Sequence, residues 1–245
     1  MSDFYTRQNC RLCESKDIKV VLPLQDSPLC DAYLNQPKKQ KFYDLNLCLC
    51  NECDFVQIDT VIEPETIYRD YIYVTTSSPG LESHFKRYAL DVCDFLNLYQ
   101  SNLTVDIGSN DGTLLGFFKH YGHNVLGVEP STKAANSANE NGIETLSEFF
   151  DIDLANTITG QYGKASLITI NNLFANIDNV DEFVESIKIV LSKNGVIVIE
   201  SAYLGNMIEN IMFDFVYHEH LSCISILPLE LFFQKHDMKL VELQP

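Results

Sequence analysis

Basic residues are scarce: 17 lysines and arginines stand against 34 aspartates and glutamates, for a net charge of −17. This balance argues against a broad electrostatic footprint for nucleic acid, yet a few local donors could still hold an anionic small ligand. Long hydrophobic runs are missing too. No apolar stretch approaches the ~20 residues of a membrane span. The opening Met-Ser-Asp-Phe-Tyr has neither the basic nor the apolar region of a signal peptide. These absences predict a cytoplasmic protein with no membrane partner and no nucleic-acid partner. There is no internal repeat, low-complexity tract or long linker, and 245 residues would suit one or two domains. The chain also lacks the Gly-x-Gly-x-x-Gly of a dinucleotide site, having Gly108 and Gly112 with Asn110 between them.

That imperfect turn is nevertheless the organising feature. In Thr104-Val-Asp-Ile-Gly-Ser-Asn-Asp-Gly112, Val105 and Ile107 suit a buried strand that Gly108 stops. Leu114, Leu115, Phe117 and Phe118 then open a helix. A strand, a small-residue turn and a helix make the nucleotide-binding corner of a doubly wound sheet. Asp106 supplies an acceptor at the strand end. A second strand, Asn124 to Glu129, ends in a carboxylate that could take both hydroxyls of a ribose or simply face solvent.

Beyond it, Ser131 predicts a helix N-cap and Gly142 its end, with a third strand over 143–146. Phe149 or Phe150 could stack on an adenine or join the core. Residues 166–170 read as a fourth strand ending in Asn171-Asn172, whose amides would point into the ligand crevice. A helix over 180–191, with Leu191 on its buried side, leads to a fifth strand, 196–199. Before the first strand, 81–98 has the spacing of an amphipathic helix. After the fifth come a helix over 227–233 and a last strand over 239–243.

Of eight cysteines, four form two pairs, Cys10-x-x-Cys13 and Cys50-x-x-Cys53. Two such knuckles supply the four thiolates of a tetrahedral structural zinc site. The 36 residues between them could form a small β-rich loop. Cys48 has the wrong spacing for a knuckle, and Cys30, Cys93 and Cys223 read as core thiols. Tyr68, Tyr71 and Tyr73, beside the hydroxyl-rich 75–78, could line a polar pocket or pack between domains. In Tyr217-His-Glu-His220, read as extended chain, His218 and His220 would face one side and Tyr217 and Glu219 the other.

Taken in order, these motifs resemble the zinc-containing, S-adenosylmethionine-dependent C-methyltransferases that act on nucleotide-linked deoxy sugars. The resemblance runs nearly end to end. It rests on Cys10-x-x-Cys13, Cys50-x-x-Cys-x-x-x-Gln57, Asp70-Tyr-x-Tyr73, Asp106-Ile-Gly-Ser-Asn-Asp-Gly112, Gly127-Val-Glu-Pro-Ser131, Asn171-Asn-x-Phe-Ala175 and Tyr217-His-Glu-His-Leu-Ser222. It implies an α/β fold, a Rossmann-like class I methyltransferase sheet, over 69–245, preceded by a small zinc-binding domain over 1–68. It implies a cofactor site of Asp106, Gly108, Ser109, Asn110, Glu129, Asn171 and Asn172. It also implies His220 as general base, supported by Glu219, Tyr217 and Tyr71, and a dTDP-linked 4-keto sugar methylated at C3 as substrate.

The chemistry agrees with those residue types. A carbon beside a ketone is a poor nucleophile until it loses a proton, and neutral histidine suits that task at cytoplasmic pH. Two departures stand out. The family's histidine after Phe-Ala is here Asn176, and relatives continue past the 239–243 strand into a second α/β domain. That last strand would then lack a ladder partner. The expectation is a chain that binds S-adenosylmethionine, turns over poorly alone, and self-associates or pairs with a complementing C-terminal domain. A zinc- and cofactor-binding module without turnover is the alternative of a different class.

Overall fold

The computed structural model describes residues 3–30, 36–69, 75–98 and 102–244. The chain packs as two units that do not follow chain order: residues 1–67, 174–184 and 201–245 in one, residues 68–173 and 185–200 in the other.

In the first unit, β1 (Phe4–Thr6) pairs antiparallel with β5 (Thr60–Ile62). The long arms β2 (Ile18–Ser27) and β3 (Tyr43–Cys50) form an antiparallel pair, and β4 (Val56–Ile58) adds to β3. Among the described residues, the interval between the cysteine pairs is built on this β2–β3 pair, in keeping with the β-rich loop expected there. Tyr43, Leu45, Cys48 and Cys50 turn inward from β3, while most of β2 is exposed at the sheet edge. A short α1 (Pro64–Tyr68) follows, with proline where a helix's first N–H would be unpaired anyway.

The second unit begins with α2 (Leu81–Leu96), whose buried Phe85, Ala89 and Cys93 recur every fourth residue. Next come β6 (Leu103–Ile107), α3 (Thr113–His120), β7 (Asn124–Val128), α4 (Thr132–Glu140) and β8 (Thr145–Leu146). After them lie α5 (Ile152–Tyr162), β9 (Ala165–Asn171), α6 (Val180–Val190), whose first residues to Val184 count with the first unit, and β10 (Leu191–Glu200). The five strands are parallel in the order β10-β9-β6-β7-β8. Chain direction across the sheet therefore reverses between β6 and β9, where open α/β sheets hold ligands beyond the strands' carboxyl ends. Phe85, Cys93, Leu114, Phe118 and Leu167 form the core on one face. Ser131 caps α4 by accepting from the Ala134 N–H, as its position predicted. Leu191 does not lie on the helix; it opens β10, paired with Ala165.

The chain then completes the first unit with α7 (Leu204–Glu209), β11 (Ser222–Cys223) and α8 (Ile226–Lys235). β11 pairs antiparallel with β4, giving a sheet ordered β11-β4-β3-β2. Met207, Val216, Leu221 and Cys223 close over Leu45, Ile58 and Val61. The apolar surface of the cysteine-bearing strands is therefore covered by residues about 150 positions later in the chain.

Two expectations are corrected here. Residues 239–243 form no strand: Leu240, Val241 and Leu243 are about half exposed, and nothing among the described residues pairs with them. Apolar alternation alone cannot make a strand without a ladder partner, so the unpaired sixth-strand edge expected there does not exist. Cys30 is exposed rather than a core thiol, while Cys93 and Cys223 are buried.

Candidate functional site

The two cysteine knuckles are built alike. Cys10 N–H donates to Ser15 O at 2.8 Å and Cys50 N–H to Phe55 O at 2.9 Å. Glu14 and Asp54 N–H return to the Cys10 and Cys50 carbonyls, each at 3.0 Å. Glu14 and Asp54 both sit in the left-handed region, at φ 60 and 58. This brings all four sulfurs within 4.8 Å of one another, with Cys10 to Cys53 and Cys13 to Cys50 both at 3.6 Å. A tetrahedral zinc with ~2.3 Å bonds needs sulfurs about 3.8 Å apart. The residues fit the ion. Four thiolates leave no open coordination position, so its role would be structural. Cys48 stays out of the cluster, its Sγ turned toward Asn46 O at 3.9 Å.

In the second unit the glycine turn doubles back on β7. Gly108 and Ser109 N–H both donate to Val128 O, at 2.8 and 3.1 Å. Gly108, Asn110 and Gly112 all have positive φ. A Cβ on Gly127 would meet Ser109 Oγ at 2.4 Å and Thr145 Oγ1 at 2.6 Å, so the turn rests on a strand that must be bare at that point. Glu129 accepts from the N–H of Asn110 at 3.0 Å and from that of Ser131 at 2.8 Å, one on each oxygen. Each oxygen keeps a second lone pair for a hydroxyl donor. Burial nonetheless raises the Glu129 pKa. Asp106 is also buried and accepts from Thr169 Oγ1 at 2.7 Å. Burial pushes its carboxyl up to about 7, with the Glu129 charge adding to the rise.

Three features suit a cofactor carrying ribose hydroxyls and an amino-acid end. Ser109 Oγ is buried without a protein partner, and the buried Asn171 amide at the end of β9 faces the Tyr88 hydroxyl. The two acidic groups are paired only with neutral donors. Asn171 ends β9 two residues beyond Thr169, the register partner of Asp106, at the point where strand order reverses. Asn172 is exposed, its backbone N–H held by Glu200 O at 2.8 Å. Asn110 differs from expectation in how it serves the site, because its side-chain oxygen accepts from Thr75 N–H at 2.9 Å and from Asp111 N–H at 2.9 Å. Asp111 likewise takes Thr76 N–H and Oγ1, each at 3.2 Å. The hydroxyl-rich run after Tyr73 is thus tied to the glycine turn. Sequence reading missed that tie, although paired Thr-Thr and Asn-Asp dipeptides are the signal for it.

Sequence reading also placed Tyr88 only on a helix. Its hydroxyl is buried facing the Asn171 amide, and burial together with the Asp106 and Glu200 charges raises its pKa well above the ordinary value, against the Asn171 contact. At the end of β10, Glu200 meets His84 Nε2 at 2.6 Å.

The histidine segment lies in the first unit and is not extended. Residues 217–220 form a turn closed by His220 N–H to Tyr217 O at 3.0 Å. The expected alternation is corrected accordingly: Tyr217 and His220 share a side, with ring centroids 4.2 Å apart. His220 Nδ1 lies 2.9 Å from Phe215 O, and Nε2 lies 3.0 Å from the Tyr217 hydroxyl. A carbonyl only accepts, so Nδ1 carries the proton. Nε2 keeps its lone pair, toward which Tyr217 O–H donates. Burial lowers the His220 pKa, against the Phe215 bond that favours the charged form. The ring is therefore neutral at pH 7 with a basic Nε2. His218 is instead buried against β3, its Nε2 3.1 Å from Asp44 O. Glu219 is buried. Asn176 Oδ1 is buried without a protein partner. Tyr71 lies outside the described residues.

Residues 83–243 match the family model described as "Methyltransferase domain". The chain belongs to the methyltransferase family. Residues 10–68 match a second model, "Putative zinc binding domain". The expected order of a zinc-binding domain followed by a methyltransferase domain is borne out by these two matches. A curated relative, the C-methyltransferase NovU of Streptomyces niveus, is 28% identical over 237 residues. That alignment takes in 95% of this chain and 56% of NovU, so the chain spans little more than half of that relative's length. Among solved structures, the plantazolicin methyltransferase BamL bound to SAH aligns with TM-score 0.49 at 16% identity, over 63% of this chain and 60% of that one. The magnesium protoporphyrin IX methyltransferase of Synechocystis PCC 6803 also gives 0.49, at 12% identity, over 66% and 75%.

Proposed function

We propose that this methyltransferase acts on carbon, on a dTDP-linked 4-keto-deoxysugar, with His220 removing the C3 proton. The observation that carries the reading is the state of the His220 ring. Its proton is committed to Phe215 O, leaving Nε2 as a neutral base with Tyr217 O–H against it. A methyltransferase acting on oxygen or nitrogen has a lone pair to attack with, whereas carbon next to a ketone needs a base first. The resemblance to NovU supports the same direction.

In this reading Nε2 takes the proton, and the Tyr217 hydroxyl rotates to accept from the new imidazolium. The electrons left behind rest on the enolate oxygen, which leaves C3 nucleophilic toward an electrophilic methyl. The family resemblance assigns supporting roles to Glu219 and Tyr71. Bound S-adenosylmethionine supplies an electrophilic methyl on a sulfonium. Asp106, Gly108, Ser109, Asn110, Glu129, Asn171 and Asn172 hold it, with Glu129 on the ribose. Cys10, Cys13, Cys50 and Cys53 hold the zinc.

Solvent exchange of the substrate C3 proton, followed by NMR in heavy water, tests the base separately from methyl transfer. Exchange that is fast with the parent chain and at least ~100-fold slower with His220→Ala is the expected result, within the range general-base catalysis supplies. Undiminished exchange in that variant would remove His220 from the mechanism.

A further inference from the structure

The zinc centre leaves no position for a reactant, and the structure offers another use for it through a residue inside the first knuckle. Arg11, between Cys10 and Cys13, is fully buried. Its backbone N–H donates to Gln57 Oε1 at 2.8 Å, and Gln57 Nε2 returns to Asn9 O at 3.0 Å. The guanidinium leaves the knuckle for the interior. Nε donates to Asp178 Oδ1 at 2.9 Å, while Nη1 donates to Ile58 O at 2.7 Å and to Leu221 O at 2.9 Å. Leu221 is the residue after His220. Its carbonyl also accepts the Ile58 N–H, at 3.0 Å.

Such an arrangement is a poor way to gain stability. Arg7 Nη1 competes for the same Asp178 oxygen at 3.0 Å, and Tyr5 donates its hydroxyl to the other. Arg11 Nη2 is buried without a partner. An apolar side chain of similar volume would avoid that desolvation cost. What an apolar side chain could not do is span three acceptors from one rigid plane. Arginine does so with a fork whose geometry is fixed, and lysine offers only a point charge. Those acceptors belong to a strand of the zinc sheet, to the carbonyl following His220, and to Asp178, two residues beyond Asn176.

We propose that Arg11 is a positioning residue: the zinc knuckle fixes its backbone, and its guanidinium fixes the carbonyl at the end of the His220 turn. The catalytic meaning of this link rests on the proposed function, but the link itself is a property of the free chain. With zinc bound, the turn holds His220 in one tautomer against Phe215 and Tyr217. With the guanidinium gone, Leu221 O keeps only the Ile58 N–H, and the turn from Tyr217 to Leu221 loosens.

The test uses the full chain labelled with 15N-histidine, without substrate, and with zinc content measured on each sample. In the parent, His220 is expected to show a single Nδ1–H tautomer. In Arg11→Lys, with one zinc per chain retained, its ring signals should move to tautomer averaging, while those of His123 in the other unit stay in place. Amide exchange of Ile58 should rise at least tenfold. Unchanged His220 signals in zinc-loaded Arg11→Lys would overturn the proposal, and so would loss of zinc by that variant, which would make Arg11 part of the metal site instead. If Arg11→Lys has no cooperative melt, Asp178→Asn replaces it. This variant weakens the Nε anchor, since an amide oxygen accepts without a charge, and keeps both carbonyl bonds. A smaller tautomer shift in the same direction is expected, and none at all refutes the link. Failure of the base assignment is read separately, from proton exchange in His220→Ala.

Discussion

Asp106 shows how the site sets function against stability within one side chain. Its carboxyl titrates near 7 when folded because it is buried, against an ordinary value of 3.8. The folded pKa lies above the unfolded one, so the group costs nothing below about pH 4 and destabilises increasingly as pH rises through 7. Asp106→Asn should therefore melt higher than the parent at pH 8 without cofactor, with the gain shrinking toward pH 5 and cofactor affinity lost. Calorimetric scans at several pH values check this, at roughly 2–4 °C per kcal/mol for a chain of this size. His220 works the other way. Burial depresses its folded pKa below 6.5, so its contribution is complete above pH 6.5 and is lost as pH falls. In Tyr217→Phe, the imidazolium formed at Nε2 loses its acceptor. A hydrogen bond of about 1 kcal/mol corresponds to a roughly fivefold slower C3 proton exchange, which NMR in heavy water would measure.

Among the elements, β7 carries the plainest steric demand. Gly127→Ala would drive a Cβ into Ser109 Oγ and Thr145 Oγ1 at 2.4 and 2.6 Å, loosening the turn above it. A loss of about 1–3 kcal/mol is expected from such overpacking. Gly116→Ala in α3, where a Cβ meets nothing within 4 Å, should instead gain about 0.5–1 kcal/mol. Urea midpoints of the two variants separate these outcomes.

Much of this layer was legible from local signals. The run from Leu103 to Leu146 was readable because β-branched residues, positive-φ glycines and the Ser131 cap all act over a few residues. The β10 helix-to-strand junction was blurred, since Leu191 suits either element. α5 was missed altogether: Thr157, Thr159 and Gly160 are weak helix formers, and the one clear sign was Asp151, which accepts from the Leu154 N–H. The knuckles were legible from spacing alone. The His220 turn was not, because a run of polar residues read as extended chain says nothing about a hydrogen bond back to Phe215.

For the molecule as a whole, the decisive fact is that the cysteine-bearing sheet is finished by residues 201–223. A cut after residue 68 would therefore not release a self-sufficient zinc domain. A fragment of residues 1–68 is expected to bind a hydrophobic dye such as ANS strongly, because Leu45, Ile58 and Val61 lose Met207, Val216, Leu221 and Cys223 from above them. The intact chain should bind little. Equal dye binding by the two would show that the later residues are dispensable to that core.

This interleaving also sets an order of assembly during synthesis. The ribosome delivers the knuckles first, then every strand of the parallel sheet, and only afterwards the strand that completes the sheet begun at the start. Zinc can be captured early, but β4 must wait, one edge open, through the making of more than 160 residues before β11 emerges. An open edge of that kind recruits other chains. Translation speed across the middle of the message, and the chaperones present meanwhile, therefore bear on how much protein reaches the native state.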